Sequence, residues 1–315
     1  MLSLADHWVW DSWYVDDGKY FHMFFLRASR ALLDSERRHF RASIGHAISS
    51  DLKNWKVLPD ALVNSDSPAW DDLATWTGST IFGPDKQWHL FYTGISRAEN
   101  GLVQRIGHAV SPDLISWKKV GLEPVTCADE RWYEPLNLES WPDQAWRDPW
   151  VIADEAGDNF HMLVTARSKS GDPLTRGVIG HATSQDLFNW KVGPPLSDAS
   201  GFGHLEVIQV EIVDGQAVLI FCCAPEQLGD PLKRATRFSG TYSARAASLL
   251  GPFDLKNAEL INAPNIYAGR IVQDRQGDWN LLGFVSKDEN GLFVGEICDP
   301  IPLSLTARGT LQVRN

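Results

Sequence analysis

Cationic side chains are scarce in this chain: 29 Lys and Arg stand against 40 Asp and Glu, a formal net charge of -11. No basic stripe offsets that balance. Nucleic-acid partners are therefore not expected, because affinity for a phosphate backbone rests on Lys and Arg neutralising phosphates. Cysteine is sparse too. Cys127, Cys222, Cys223 and Cys298 show neither CxxC spacing nor a paired histidine, so no zinc site is expected. Cys222 and Cys223 read as small buried hydrophobes in an apolar strand. No apolar run approaches the roughly 20 residues that span a bilayer, and the start, Met-Leu-Ser-Leu-Ala-Asp-His-Trp, lacks the basic and apolar blocks of a secretory signal. A cytoplasmic protein without membrane contact is the expectation. Linkers rich in Pro, Gly or Ser are missing as well, so one domain over residues 1–315 is expected.

Tryptophan and internal repetition are what the chain has in quantity. Its 14 Trp suit wedges between packed sheets, a carbohydrate pocket, or both. Five segments share an outline of a Gly or Asp turn, a large residue, then alternating apolar positions: they begin at Gly18, Asp85, Gly157, Gly215 and Gly277, spaced 67, 72, 58 and 62 residues apart. Strand periodicity at that spacing indicates radial β repetition with about four strands per repeat. The fold class is thus all-β, a five-bladed β-propeller with a central active-site pocket. A second phrase keeps the register: IGHAISSDLKNW from Ile44, IGHAVSPDLISW from Ile106 and IGHATSQDLFNW from Ile179, with only a degenerate version in the fourth repeat.

Residues that recur in several repeats serve architecture, whereas blade-specific ones are candidates for function. By that test His46, His108 and His181, and Trp55, Trp117 and Trp190, are structural, and Asp51, Asp113 and Asp186 bond turn amides. The segments preceding the hairpins behave differently. Asp11, Asp148 and Glu206 fall seven, nine and nine residues before their turns and read as one shared position, where repeats two and five offer Gly78-Ser79 and Ala268-Gly269. The first strand of each blade lines the axis, so the three carboxylates converge. Like charges at close range raise one another's pKa, keeping one carboxyl protonated near neutrality, the state a general acid requires. Glycoside hydrolysis needs such a pair. Asp148 follows Arg147 directly, and Pro149 suggests a bulge that turns both side chains toward a sugar; a plain ion pair at a blade edge is the alternative.

The residues also carry a family resemblance. Trp10-Asp11-Ser12-Trp13 resembles the nucleophile motif of glycoside hydrolase family 68, and Trp146-Arg147-Asp148-Pro149 resembles the RDP motif shared by families 32 and 68. Trp76-Thr77-Gly78-Ser79 and the strand Phe91-Tyr92-Thr93-Gly94 are similar to further elements of those families. Glu206-Val207, followed by Val213-Asp214-Gly215-Gln216-Ala217-Val218-Leu219, resembles the acid/base segment of family 32.

That resemblance implies a propeller that cleaves or transfers β-fructofuranosyl units with retention and without a cofactor. Asp11 would be the nucleophile, Asp148 the transition-state stabiliser on fructose hydroxyls, and Glu206 the acid/base. Arg147 would bind the same ring, Trp10 and Trp76 would wall the pocket, and Thr77 would hydrogen-bond Asp11. His204 is a candidate for fixing Glu206 or lining the next subsite, and Tyr267 and Arg270 are candidates for the outer pocket. The chain departs from the pattern in two ways: Val207 and Ile208 stand where the family acid/base segment has other residues, and the β-sandwich that usually follows the family 32 propeller is not expected here. A flank left bare by that absence is a place for a second copy.

Three functions stay open. A β-fructofuranosidase on sucrose or short fructo-oligosaccharides leads, with fructosyl transfer sharing its first half. An inverting arabinofuranosidase or xylosidase of the family 43 type uses the same fold and triad. A non-catalytic sugar-binding propeller would instead repeat its binding residues in every blade. Calcium is not expected, since no spacing resembles a calcium loop.

Overall fold

The turns that punctuate the repeat are hairpins, and the one in the fourth blade is the tightest. Val213 pairs with Gln216, so Asp214 and Gly215 alone make the reversal, at φ 50 and 82 degrees. Left-handed backbone at both central residues matches the right-handed twist of the flanking strands, and Asp-Gly tolerates it. The computed structural model describes residues 1–154, 156–229 and 240–314, and its strands form five antiparallel sheets that meet the expectation of a five-bladed propeller.

The first sheet runs β1 (His7–Asp16), β2 (Phe21–Ser29), β3 (Ser43–Ser49) and β4 (Lys56–Leu62). The second runs β5 (Ala74–Phe82), β6 (Trp88–Ile95), β7 (Gln104–Ser111) and β8 (Lys118–Lys119), with β9 (Thr126–Cys127) also paired to β7. Next come β10 (Trp146–Ala153), β11 (Phe160–Arg167), β12 (Gly177–Ser184) and β13 (Lys191–Gly193). The fourth sheet holds β14 (Glu206–Val213), β15 (Gln216–Cys223), β16 (Gly240–Arg245) and β17 (Glu259–Leu260). The fifth holds β18 (Ile266–Gln273), β19 (Trp279–Lys287), β20 (Phe293–Ile297), β21 (Ile301–Leu305) and β22 (Leu311–Val313), with β20 branching from β19. The first strands form the ring: β1 packs on β5, β5 on β10, β10 on β14, β14 on β18, and β18 back on β1.

The repeated phrase is architectural, as its recurrence predicts. Asp51, Asp113 and Asp186 each accept two amides of the following turn, at 2.9 and 2.8, 2.9 and 2.7, and 2.8 and 2.7 Å. The next residue, Leu52, Leu114 or Leu187, takes φ near 62, 63 or 65 degrees, and its carbonyl accepts the indole N–H of Trp55, Trp117 or Trp190. Two of those indoles wedge blades together. Trp117 stands edge-on to Phe24 of the preceding blade at 5.6 Å, and Trp190 to Phe91 at 5.3 Å. Burying each such ring contributes about 2–3 kcal/mol. The histidines of the phrase pair with a histidine of the adjacent strand, Nδ1 to Nε2, in His22–His46 at 3.0 Å, His89–His108 at 2.9 Å and His161–His181 at 3.0 Å.

Every first strand is interrupted at the same place. Pairing shifts between Trp10 and Ser12, Trp76 and Gly78, Arg147 and Trp150, Glu206 and Gln209, and Tyr267 and Arg270. These are β-bulges, which re-aim side chains. Asp11, Asp148, Val207 and Ala268 sit in them at positive φ. In the second blade the bulged strand presses close to its neighbour: a Cβ on Gly78 would lie 2.2 Å from the Phe91 carbonyl oxygen, so only glycine fits. Among the described residues no helix is long and apolar enough to cross a membrane.

Candidate active site

The bulges set the true alignment of the repeats and correct the one read from turn spacing. Trp10, Trp76, Arg147, Glu206 and Tyr267 precede the bulge, and Asp11, Thr77, Asp148, Val207 and Ala268 occupy it. Asp11 and Asp148 are therefore equivalent, while Glu206 stands one residue earlier, in the place of Arg147. Hairpins of unequal length conceal that offset in the sequence. The three carboxylates nevertheless line one pocket of about 240 Å³ together with Trp10, Trp76, Thr77, Arg147 and Tyr267. The first strand of every blade contributes to it.

Each carboxylate has its own bonding. Thr77 Oγ1 donates to Asp11 Oδ2 at 2.5 Å. Asp148 Oδ2 lies 3.0 Å from the Thr165 hydroxyl and 3.3 Å from the Val207 amide, both donors. The Asp148 amide in turn donates to Thr93 Oγ1 at 2.9 Å, which fixes the bulge. Arg147 Nη2 donates to Glu206 Oε1 at 2.7 Å, while its Nε lies 3.5 Å from Asp148 Oδ2. Tyr267 donates its hydroxyl to Glu206 Oε2. The bulge thus lets consecutive Arg147 and Asp148 face the same hollow.

His204 is not among the lining residues; it lies behind Glu206. Its Nδ1 lies 3.0 Å from Arg147 Nη2 and its Nε2 3.3 Å from Glu206 Oε2. Arg270 departs from its expected place in the outer pocket. It follows the bulge rather than preceding it, is 1% exposed, and lies over the Trp150 ring at 4.8 Å. Its Nη1 donates to the carbonyls of Val207 and Ile208, which pins the bulge next to Glu206.

Four further lining side chains escape the repeat logic. Arg38 and His39 come from a 3-10 helix, Ser35–Arg41, in the β2–β3 connection. That connection has 13 residues, 30–42, against eight, 96–103, in the second blade; the extra length, rich in Arg and His, is the available sequence signal. His39 stands edge-on between Trp10 and Trp76, at 6.1 and 6.2 Å, and its carbonyl accepts the Trp76 indole N–H at 2.7 Å. Asp143 lies 3.6 Å from Arg147, and Phe284 packs against Tyr267 at 5.8 Å.

Electrostatics separate the carboxyls. Burial, then repulsion from Asp148, pushes Asp11 up to about 7 against the pull of the Thr77 bond. Asp148 is raised by burial, with Arg147 opposing. Burial also acts to raise Glu206, but His204, Arg147 and the bonds from His204 and Tyr267 outweigh it and hold the carboxyl far below its ordinary value. Of the pair expected to act as nucleophile and acid, it is thus Asp11, not Glu206, whose titration is carried up toward neutrality. His39 is depressed to about 4, by burial first and then by Arg38.

Comparisons with known proteins agree with this architecture. The fold is similar to that of an inulosucrase from Halalkalicoccus jeotgali solved with kestose, with a TM-score of 0.79 and 20% identity over 98% of this chain and 89% of that one. It is also similar to the levansucrase of Bacillus subtilis, with a TM-score of 0.73 and 16% identity over 97% and 86%. Residues 12–292 match the model of the glycosyl hydrolases family 32 N-terminal domain, and the chain belongs to that family. An insoluble β-fructofuranosidase isoenzyme of Arabidopsis thaliana is 27% identical over 191 residues, 59% of this chain and 32% of that protein. A levanase from a Bacillus species is 32% identical over 173 residues, 50% of this chain and 16% of that enzyme. The matches thus span a third or less of these relatives' length.

Proposed function

We propose that this chain is a retaining glycoside hydrolase acting on β-fructofuranosides such as sucrose or short fructo-oligosaccharides, with the catalytic unit spanning residues 1–315. The observation that carries the reading is the gathering of Asp11, Asp148, Glu206 and Arg147 in one pocket of a family 32 propeller. Asp11 attacks the fructosyl anomeric carbon as the glycosidic C–O bond breaks, and the leaving oxygen takes the Glu206 proton. In the second half Glu206 removes a proton from water, whose oxygen displaces Asp11 from the same carbon. A sugar hydroxyl in place of water gives transfer.

Asp148 and Arg147 hold fructose hydroxyls, and Trp10, Trp76 and His39 offer ring faces and edges to the apolar side of the sugar. The pair of Asp11 and Glu206 titrates as a unit carrying one proton. Putting that proton on Glu206 removes one of the charges that raise Asp11, leaving Asp11 ionised for attack. Sugar hydroxyls that engage Arg147 weaken its hold on ionised Glu206 and favour this arrangement. All four cysteines are free thiols, which suits a reducing compartment and a cytoplasmic site of action.

Incubation with sucrose, inulin-type and levan-type oligosaccharides and aryl arabinosides tests the reading by product identity. Free fructose or longer fructans support it; arabinose alone moves the assignment to the inverting alternative. With methanol as acceptor, retention yields methyl β-fructofuranoside.

A further inference from the structure

Glu206 must hold a proton before it can donate one, yet Arg147 Nη2 bonds its Oε1 at 2.7 Å, which favours the ionised carboxylate. Releasing that bond requires another partner for the guanidinium charge. Asp143, which also lines the pocket, stands at the other terminal nitrogen. Its Oδ1 lies 3.6 Å from Arg147 Nη1, is buried, and has no hydrogen-bond partner among the described residues. A buried carboxylate oxygen without a donor is costly. Arg147 Nη1 has a hydrogen to spare: a terminal guanidinium nitrogen carries two, and this one donates to Gln104 Oε1 at 3.0 Å. A shift of under about 1 Å closes the gap to a charge-assisted bond.

The other groups around this arginine are already engaged. Asp148 lies 3.5 Å from its Nε and takes the Thr165 hydroxyl and the Val207 amide, and His204 Nδ1 lies 3.0 Å from Nη2. Glu206 also meets Tyr267 and His204 and is within electrostatic reach of Asp11 and His39. Arg167, the second cation that Asp143 acts on, has Nε on Glu134 and its Nη atoms on the carbonyls of Gly203 and Pro173, so its donors are spent. Burial acts to depress Arg147, but Asp143, ahead of Glu206 and Asp148, holds it above its ordinary value. We propose that Asp143 is a positioning residue: once sugar hydroxyls enter the pocket it draws Arg147 off Glu206, and the freed carboxyl keeps the proton that the leaving oxygen takes. Asp143 itself touches no reacting atom. The proposal rests on the fructoside reading, with Glu206 as its acid/base.

Steady-state kinetics of Asp143→Asn on sucrose and on an activated aryl fructoside make the test, because only sucrose needs a proton on its leaving oxygen. The variant should lose at least about tenfold in kcat/KM on sucrose and less than about twofold on the aryl fructoside. The basic limb of its pH profile should not move, since Asp143 is not among the principal charges acting on Asp11. Azide, expected to rescue Glu206→Gln, should give this variant nothing, because its base is intact. A parallel loss on both substrates by the folded variant, or no loss on sucrose, overturns the proposal. Should the Asn variant fail to fold, judged by circular dichroism, Asp143→Glu decides. Its retained charge should keep kcat/KM on sucrose within about threefold of the parent, and a deeper loss there overturns the proposal. A parent inactive on both substrates overturns the fructoside reading and takes this proposal with it.

Discussion

Thr77 and Asp11 occupy the same bulge position in adjacent blades, and the Thr77 hydroxyl donates to Asp11 Oδ2 across 2.5 Å. The bond stabilises ionised Asp11 and opposes the burial that raises it to about 7. Removing it lifts Asp11 further. In Thr77→Val the basic limb of the kcat/KM profile, near pH 7 in the parent, should move upward. The plateau should fall about tenfold for each pH unit of that movement, as less of the singly protonated pair has its proton on Glu206. A limb that does not move would remove Asp11 from the titration.

Asp11→Asn should lower kcat by roughly three orders of magnitude or more, while sugar binding persists. The same change should stabilise the fold. The folded pKa of Asp11 lies above the ordinary value of 3.8, so from about pH 4 to 7 the unfolded chain gives up this proton first. The parent therefore loses stability across that window and the Asn variant does not. Urea denaturation at pH 8 should show a gain on the order of 2–4 kcal/mol, absent at pH 4.

Glu206→Gln removes proton donation to the leaving oxygen. The loss should be greatest on fructosides with poor leaving groups and small on activated aryl fructosides, with azide restoring part of the turnover. Equal loss on every substrate would count against the acid/base role.

The histidine pairs predict acid lability. Burial depresses His46 and His108 to about 3 and His181 to about 4, with their partner histidines adding to it. The unfolded chain takes up these protons as pH falls through about 6.5, so stability present at pH 7 is lost progressively toward pH 4. Three such groups give a slope of about 4 kcal/mol per pH unit near pH 5. Replacing the His89–His108 pair by Gln–Gln should flatten that slope by about a third in equilibrium denaturation.

The blade count, the turn aspartates and the tryptophan wedges were legible because each is fixed by local chemistry and repeats. Thr77 and the Arg147–Asp148 pair were legible through their motifs. The offset of Glu206 was not, since the hairpins after the bulges differ in length, Ala153 pairing with Phe160 but Val213 with Gln216, and counting back from their turns hides it. Arg270 shows the effect of the bulge itself: beyond it the side chain turns under the Val207 and Ile208 carbonyls, away from the sugar. Arg38 and His39 belong to one blade's insertion, which repetition cannot reveal.

Trapping the covalent intermediate tests the central assignment most directly. The Glu206→Gln protein, mixed with an activated aryl fructoside and quenched in acid, should carry one fructosyl unit on the peptide containing Asp11. Full aglycone release with no adduct at any quench time, or an adduct on a different carboxylate, would contradict it.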